Sequence, residues 1–154
     1  MTSTPIAPTQ ETQLPVRPAA TATVLGTLAF VALGTFAGGS DTEHEPMEFV
    51  VIGGFVLALA AVMFLVVVPR AIASGHTAGL GLGLAIAALP FVLAFWSGIT
   101  PVLAVSGMLL GMAARRTGDP GKGAAAVGLG ALALLGYVAI YVSDWMATNN
   151  IAGM

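Results

Sequence analysis

GMAARRTGDPGKGAAAVGLG, Gly111–Gly130, sets two arginines, a proline-glycine turn and a lysine between two runs that carry no charge. Its reading decides the fold. Proline presets one backbone dihedral and glycine permits the positive one, so Gly118-Asp119-Pro120-Gly121 is turn chemistry. Arg115 and Arg116 then close the run before it, at the negative end of a helix dipole. A phosphate-binding loop is the rival reading, because Gly121-Lys122 matches its glycine-lysine pair. That motif needs a glycine five positions before its second glycine and Ser or Thr after the lysine, where this chain has Arg116 and Gly123. The stretch is therefore expected to join two helices, with no nucleotide bound.

The solvent around those helices follows from composition. Of 154 residues, 57% are hydrophobic and only 8% are charged, and the mean hydropathy is +0.95. Soluble domains carry about 25% charged residues. With so few charges the chain cannot cover a surface that faces water, so lipid is expected around most of it. The net charge of −2 offers no basic face for nucleic acid. Absence of cysteine removes disulfides and thiolate metal sites.

Working outward, five uncharged runs emerge at about 20–38, 49–68, 78–95, 99–114 and 124–142. A helix needs ~20 apolar residues to cross ~30 Å of hydrocarbon. Phe49–Val68 is the clearest, ending at Pro69-Arg70, where proline stops a helix and arginine reaches headgroups. The run from Ala20 could instead be a secretory leader with Arg17 before it, but it is longer than the ~7–15 residues of such a core. Pro90 inside the third run predicts a kink. The fourth run has 16 residues, about 24 Å of helix, so the third and fourth either cross a locally thinned bilayer or form a short re-entrant hairpin. The expected architecture is an all-α integral membrane bundle of about five helices. Residues 1–19 are expected to be a disordered Thr- and Pro-rich cytoplasmic tail, 20–146 the helical domain, and 147–154 a frayed outer tail.

Threading follows from the positive-inside rule, which is independent of hydrophobicity. An inside amino terminus puts Arg17, Arg70, Arg115, Arg116 and Lys122 inside, and these are all the basic residues of the chain. The carboxyl terminus falls outside. So do Asp41, Glu43, Glu45, Glu48 and Asp144, together with Trp96, Tyr141 and Trp145 at the interface that aromatic rings prefer. A multi-pass protein of the plasma (inner) membrane is expected.

Glycine spacing supplies candidate helix contacts. Gly34 and Gly38, Gly79 and Gly83, and Gly107 and Gly111 have the four-residue separation that lets helix backbones approach in lipid, and Gly128 and Gly136 lie near one face of the last run. Membrane helices are also richer in glycine generally. No Asp, Glu, Lys, Arg or His lies within a run, whereas pumps, coupled carriers and intramembrane hydrolases place such groups there. Hydroxyls such as Thr23, Thr27, Thr35, Ser106 and Tyr137 can bond to carbonyls one turn away. Ser106 has no base in register, so no catalytic group is assigned. Asp41, Glu43, His44 and Glu45 form an acidic outer loop that matches no calcium frame. With Trp96 and Trp145, they are candidate partner contacts, and His44 is better placed than His76 to sense pH.

Ser97–Gly136 resembles the small membrane proteins of the domain-of-unknown-function 4190 family, common in actinobacteria. Gly107, Gly111, Ala113, Arg115, Arg116, Gly121, Lys122, Gly123, Gly128 and Gly130 carry the likeness, and GLGLAIAALPFVLAF, Gly81–Phe95, is similar to that family's first helix. The resemblance covers about Thr77–Val142 and implies a multi-helix integral membrane protein with no established activity. Two expectations result. One is a non-enzymatic accessory or structural subunit, without cofactor or metal, packed against other membrane subunits. The other is a self-associating transporter or channel component lined by hydroxyls and the carbonyls of Trp96–Pro101.

Overall fold

The computed structural model describes residues 15–36 and 46–148. Its elements are α1 (Val16–Phe36), α2 (Pro46–Ala61), a π-helical segment (Val62–Val67), α3 (Val68–Ser74), α4 (Thr77–Phe91), a 3-10 segment (Val92–Ser97), α5 (Ile99–Thr117) and α6 (Pro120–Thr148). The π segment joins α2 to α3 without a break, and the 3-10 segment continues α4. The described residues therefore form five rods.

Local chemistry sets the boundaries. α1 begins at Val16, inside the stretch read as tail: the Pro15 carbonyl accepts the Ala19 N–H at 3.0 Å, and Pro18 falls in the first turn, where its missing N–H costs no helix bond. Pro69 explains the π segment. In an α-helix its ring would press on the Leu65 carbonyl. The wider turn before it moves that carbonyl away, and the Val68 N–H reaches back to the Met63 carbonyl instead. Pro90 acts differently. The α register survives only to Phe91, and Ala94, at φ −101 and ψ 47, is no longer helical. Gly75 and Gly98, at φ +73 and +67, then turn the chain in the left-handed region that side chains avoid.

Neighbouring rods run antiparallel. On α4 and α5, Gly81 lies against Leu110 and Gly111 while Gly107 lies against Ala85. On α5 and α6, Gly111 meets Gly123 and Ala126, and Gly130 meets Ala104 and Met108. α5 is the centre of the bundle. Thr100, Val102, Ala104, Ser106, Leu109, Leu110, Ala113 and Ala114 are all buried, on faces pointing in several directions. One side fits α4 and α6, and another packs Val102, Leu109 and Leu110 against Val56, Phe64 and Val68 of the second rod.

Among the described residues, four rods are long and apolar enough to cross a membrane: Val16–Leu33, Val50–Ser74, Thr77–Ser97 and Pro120–Ala147. α5 is not among them. Enclosed by its neighbours, it can hold small and polar residues that a lipid-facing helix would not.

The glycine seams generate a stability prediction. A Cβ on Gly123 would fall 2.5 Å from the Gly111 carbonyl oxygen and 2.9 Å from the Arg115 nitrogen, both backbone atoms that cannot step aside, whereas Gly128 has nothing within 4 Å. Thermal unfolding in detergent should show Gly123→Ala destabilised by about 1–3 kcal/mol, as for other overpacked sites. Gly128→Ala should be neutral or slightly stabilising, because alanine is the better helix former.

Candidate functional site

Antiparallel order separates the side chains into two ends. Arg17 opens α1, Arg70 lies in α3, Arg115 and Arg116 close α5, and Lys122 is in the first turn of α6. All the basic residues therefore gather at one end. A cluster of aromatic rings lies at the other. Phe30 stands edge-on to Tyr137 and Tyr141, with ring centres 5.9 and 4.9 Å away. Phe95 meets Tyr141 at 5.9 Å and Trp96 at 5.4 Å. The Tyr141 hydroxyl donates to the Phe30 carbonyl, tying α6 to α1. Trp96 and Trp145 are exposed at this end. Asp41, Glu43, His44 and Glu45 lie outside the described residues.

The basic end is built around the α5–α6 turn. Gly118, at φ +112, ends α5 in the left-handed conformation, and the Asp119 N–H wraps back to the Ala114 carbonyl at 3.1 Å. Asp119 then caps α6. Its side chain accepts the Lys122 N–H at 3.2 Å, its carboxylate meets the Lys122 ammonium at 3.1 Å, and Pro120 takes the first helical position. Both bonds from Lys122 favour the charged carboxylate and hold the Asp119 carboxyl below the usual range.

The predicted glycine contacts divide. Gly107 and Gly111 are pressed against α4 and α6, and a Cβ added to Gly136 would lie 3.4 Å from the Val92 side chain, an ordinary contact. A Cβ added to Gly79, Gly83 or Gly128 would meet no atom of another element within 4 Å among the described residues. On α4 the buried residues are Thr77, Gly81, Ala85 and Ala88, so Gly79 and Gly83 lie on the opposite face. Gly34 is in the last turn of α1, and Gly38 is outside the described residues. Spacing of glycines alone missed Gly81, Gly123 and Gly130. Counting alanine as a small residue finds them, since Gly81 and Ala85, and Gly123, Ala126, Gly130 and Ala133, repeat every three or four residues.

Hydroxyls inside the bundle also divide. Thr23 donates to the Ala19 carbonyl and Thr27 to the Thr23 carbonyl, each at 2.7 Å. Thr100, Ser106 and Tyr137 are buried and their hydroxyls have no hydrogen-bond partner among the described residues. No acidic or basic side chain is buried among the described residues.

Between α1 and the second rod lies an open groove of about 330 Å³, walled by Val24 and Leu25 on one side and Leu57 and Leu65 on the other, with Ala20 and Ala60 beneath. Thr21 is the polar residue in its lining, and its hydroxyl already donates to the Arg17 carbonyl at 3.1 Å. The groove thus offers hydrocarbon contact and no unused donor.

Comparison with family models, curated proteins and solved structures returns no match.

The cap at Asp119 predicts a pH dependence. A carboxyl whose folded pKa is depressed contributes stability that is present above its unfolded value, near 3.8, and lost as pH falls through the lower folded value. Asp119→Ala should lower the unfolding temperature at neutral pH, and the gap from the parent should close on acidification below that window. Asp119→Asn, which keeps the cap, should lose less.

Proposed function

We propose that this chain is a small multi-pass integral membrane protein that serves as a non-enzymatic accessory or structural subunit, docked on other membrane proteins. Its basic end faces the cytoplasm and its aromatic end the outside, because lysine and arginine are retained on the inner side and aromatic rings settle at interfaces. One observation supports docking most directly. Gly79 and Gly83 lie on the face of α4 turned away from the bundle, with open space beside them. Glycine in a helix costs up to about 1 kcal/mol relative to alanine, and among the described residues no packing contact beside these two offsets it. In lipid, small residues at this spacing favour close approach of another helix.

The alternative is a self-associating transporter or channel component. Its support is weaker. The α4–α5–α6 core is closed by backbone contact at Gly81, Gly107, Gly111 and Gly123. The buried hydroxyls of Thr100, Ser106 and Tyr137 favour it to the extent that polar atoms can line a path.

Co-purification in mild detergent from the source membrane tests the choice. A larger assembly should be recovered with the parent chain and lost with Gly79→Leu/Gly83→Leu, a pair that leaves the internal seams intact. Recovery of a homo-oligomer alone would reject the accessory reading. Threading is tested separately, since the chain has no cysteine and each introduced thiol is unique. Gly121→Cys should react with a membrane-impermeant maleimide only after the inner face is opened, and Ser143→Cys should react in intact cells.

A further inference from the structure

We infer that the groove between α1 and the second rod is a binding site for an anionic phospholipid, with part of one acyl chain in the groove and the phosphate held by Arg17 and Arg70. This rests on the membrane reading and goes beyond the docking role.

The groove selects hydrocarbon. It is lined by Val24, Leu25, Leu57 and Leu65 together with alanines and the buried Phe64. From Leu57 to Leu65 is eight residues, about 12 Å of helix at ~1.5 Å each, which takes a length of one chain rather than a folded polar molecule. The hydroxyl of Thr21 is already engaged by the Arg17 carbonyl. A sugar or peptide would leave its polar groups unpaired there, at a cost hydrocarbon does not incur.

Charge fixes which lipid. Arg17 lies one turn before Thr21, and Arg70 lies five residues beyond Leu65, both toward the basic end and both exposed. The antiparallel pairing of α1 with the second rod puts both beyond the same end of the groove. Among the described residues the ion pair at this end joins Lys122 to Asp119, and Arg17 and Arg70 have no such acid beside them. Two guanidiniums can accept a phosphodiester with paired N–H donors, while the chain below it runs into the groove. A zwitterionic headgroup brings its own cation and gains less.

Native mass spectrometry of the purified full-length chain tests this, with phosphatidylglycerol and phosphatidylcholine of identical acyl chains as probes. The parent should retain phosphatidylglycerol with roughly tenfold preference or more, from two arginines at the membrane surface. Arg17→Gln/Arg70→Gln should abolish the preference, and Lys122→Gln, at the same end but away from the groove, should keep it. Ala61→Phe, an exposed position lining the groove, should reduce retention of both lipids. Equal retention of the two lipids by the parent would overturn the headgroup site. An equal loss with Lys122→Gln would assign the preference to diffuse surface charge, and an unchanged Ala61→Phe would overturn the groove. The membrane reading is checked apart from these results by sedimentation of the untreated chain with membranes, resistant to high salt and alkaline extraction.

Discussion

Backbone contact at glycine is the constraint on which the rest of the bundle depends. α5 approaches α4 at Gly81 and Gly107 and α6 at Gly111 and Gly123 so closely that even a methyl group would meet main-chain atoms. Dispersion attraction falls steeply with separation, so removing side chains from the seam brings whole helix surfaces within range. With two neighbours held so tightly, α5 can turn its remaining face, with Val102 and Leu109, to the second rod. The position of α1 follows, since it packs on that rod and meets α6 through Phe30 and Tyr141.

Much of this was legible in the chain. Uncharged runs gave five helices, and Gly118-Asp119-Pro120 gave the turn, because both depend on local chemistry. The grouping of basic residues also followed once consecutive helices were taken as antiparallel. Packing was read less well. Four-residue glycine pairs pointed to Gly79 and Gly83, yet the packed face of α4 carries Gly81, Ala85 and Ala88. A helix with apolar residues on every side gives no periodic signal to say which face is inward. The π segment was missed for another reason: Pro69 signalled a stop, and the chain accommodated it by widening the preceding turn.

The functional surface was legible in part. Arg17 and Arg70 were visible as inner anchors, but the groove beside them depends on how two helices sit together. Alanines such as Ala20 and Ala60 are unremarkable in a chain so rich in them. Only the pairing of rods turns them into a floor. The buried hydroxyls show the opposite error. Thr23, Thr27, Ser106 and Tyr137 looked equivalent in sequence, but the two threonines of α1 bond to their own helix while Ser106 and Tyr137 do not.

The two-residue link at Gly118 and Asp119 has a consequence for biosynthesis. α5 is the helix least suited to face lipid alone, since it carries Arg115 and Arg116, buries Thr100 and Ser106, and is not among the four apolar spans. The ribosome nevertheless completes it before α6. A link this short leaves no slack between the two helices, so on the membrane reading proposed above they are expected to enter as one hairpin, with α6 shielding its partner. On that reading assembly runs against the order of synthesis: α5 waits for α6, and a chain truncated before Pro120 would expose the helix least suited to a bilayer.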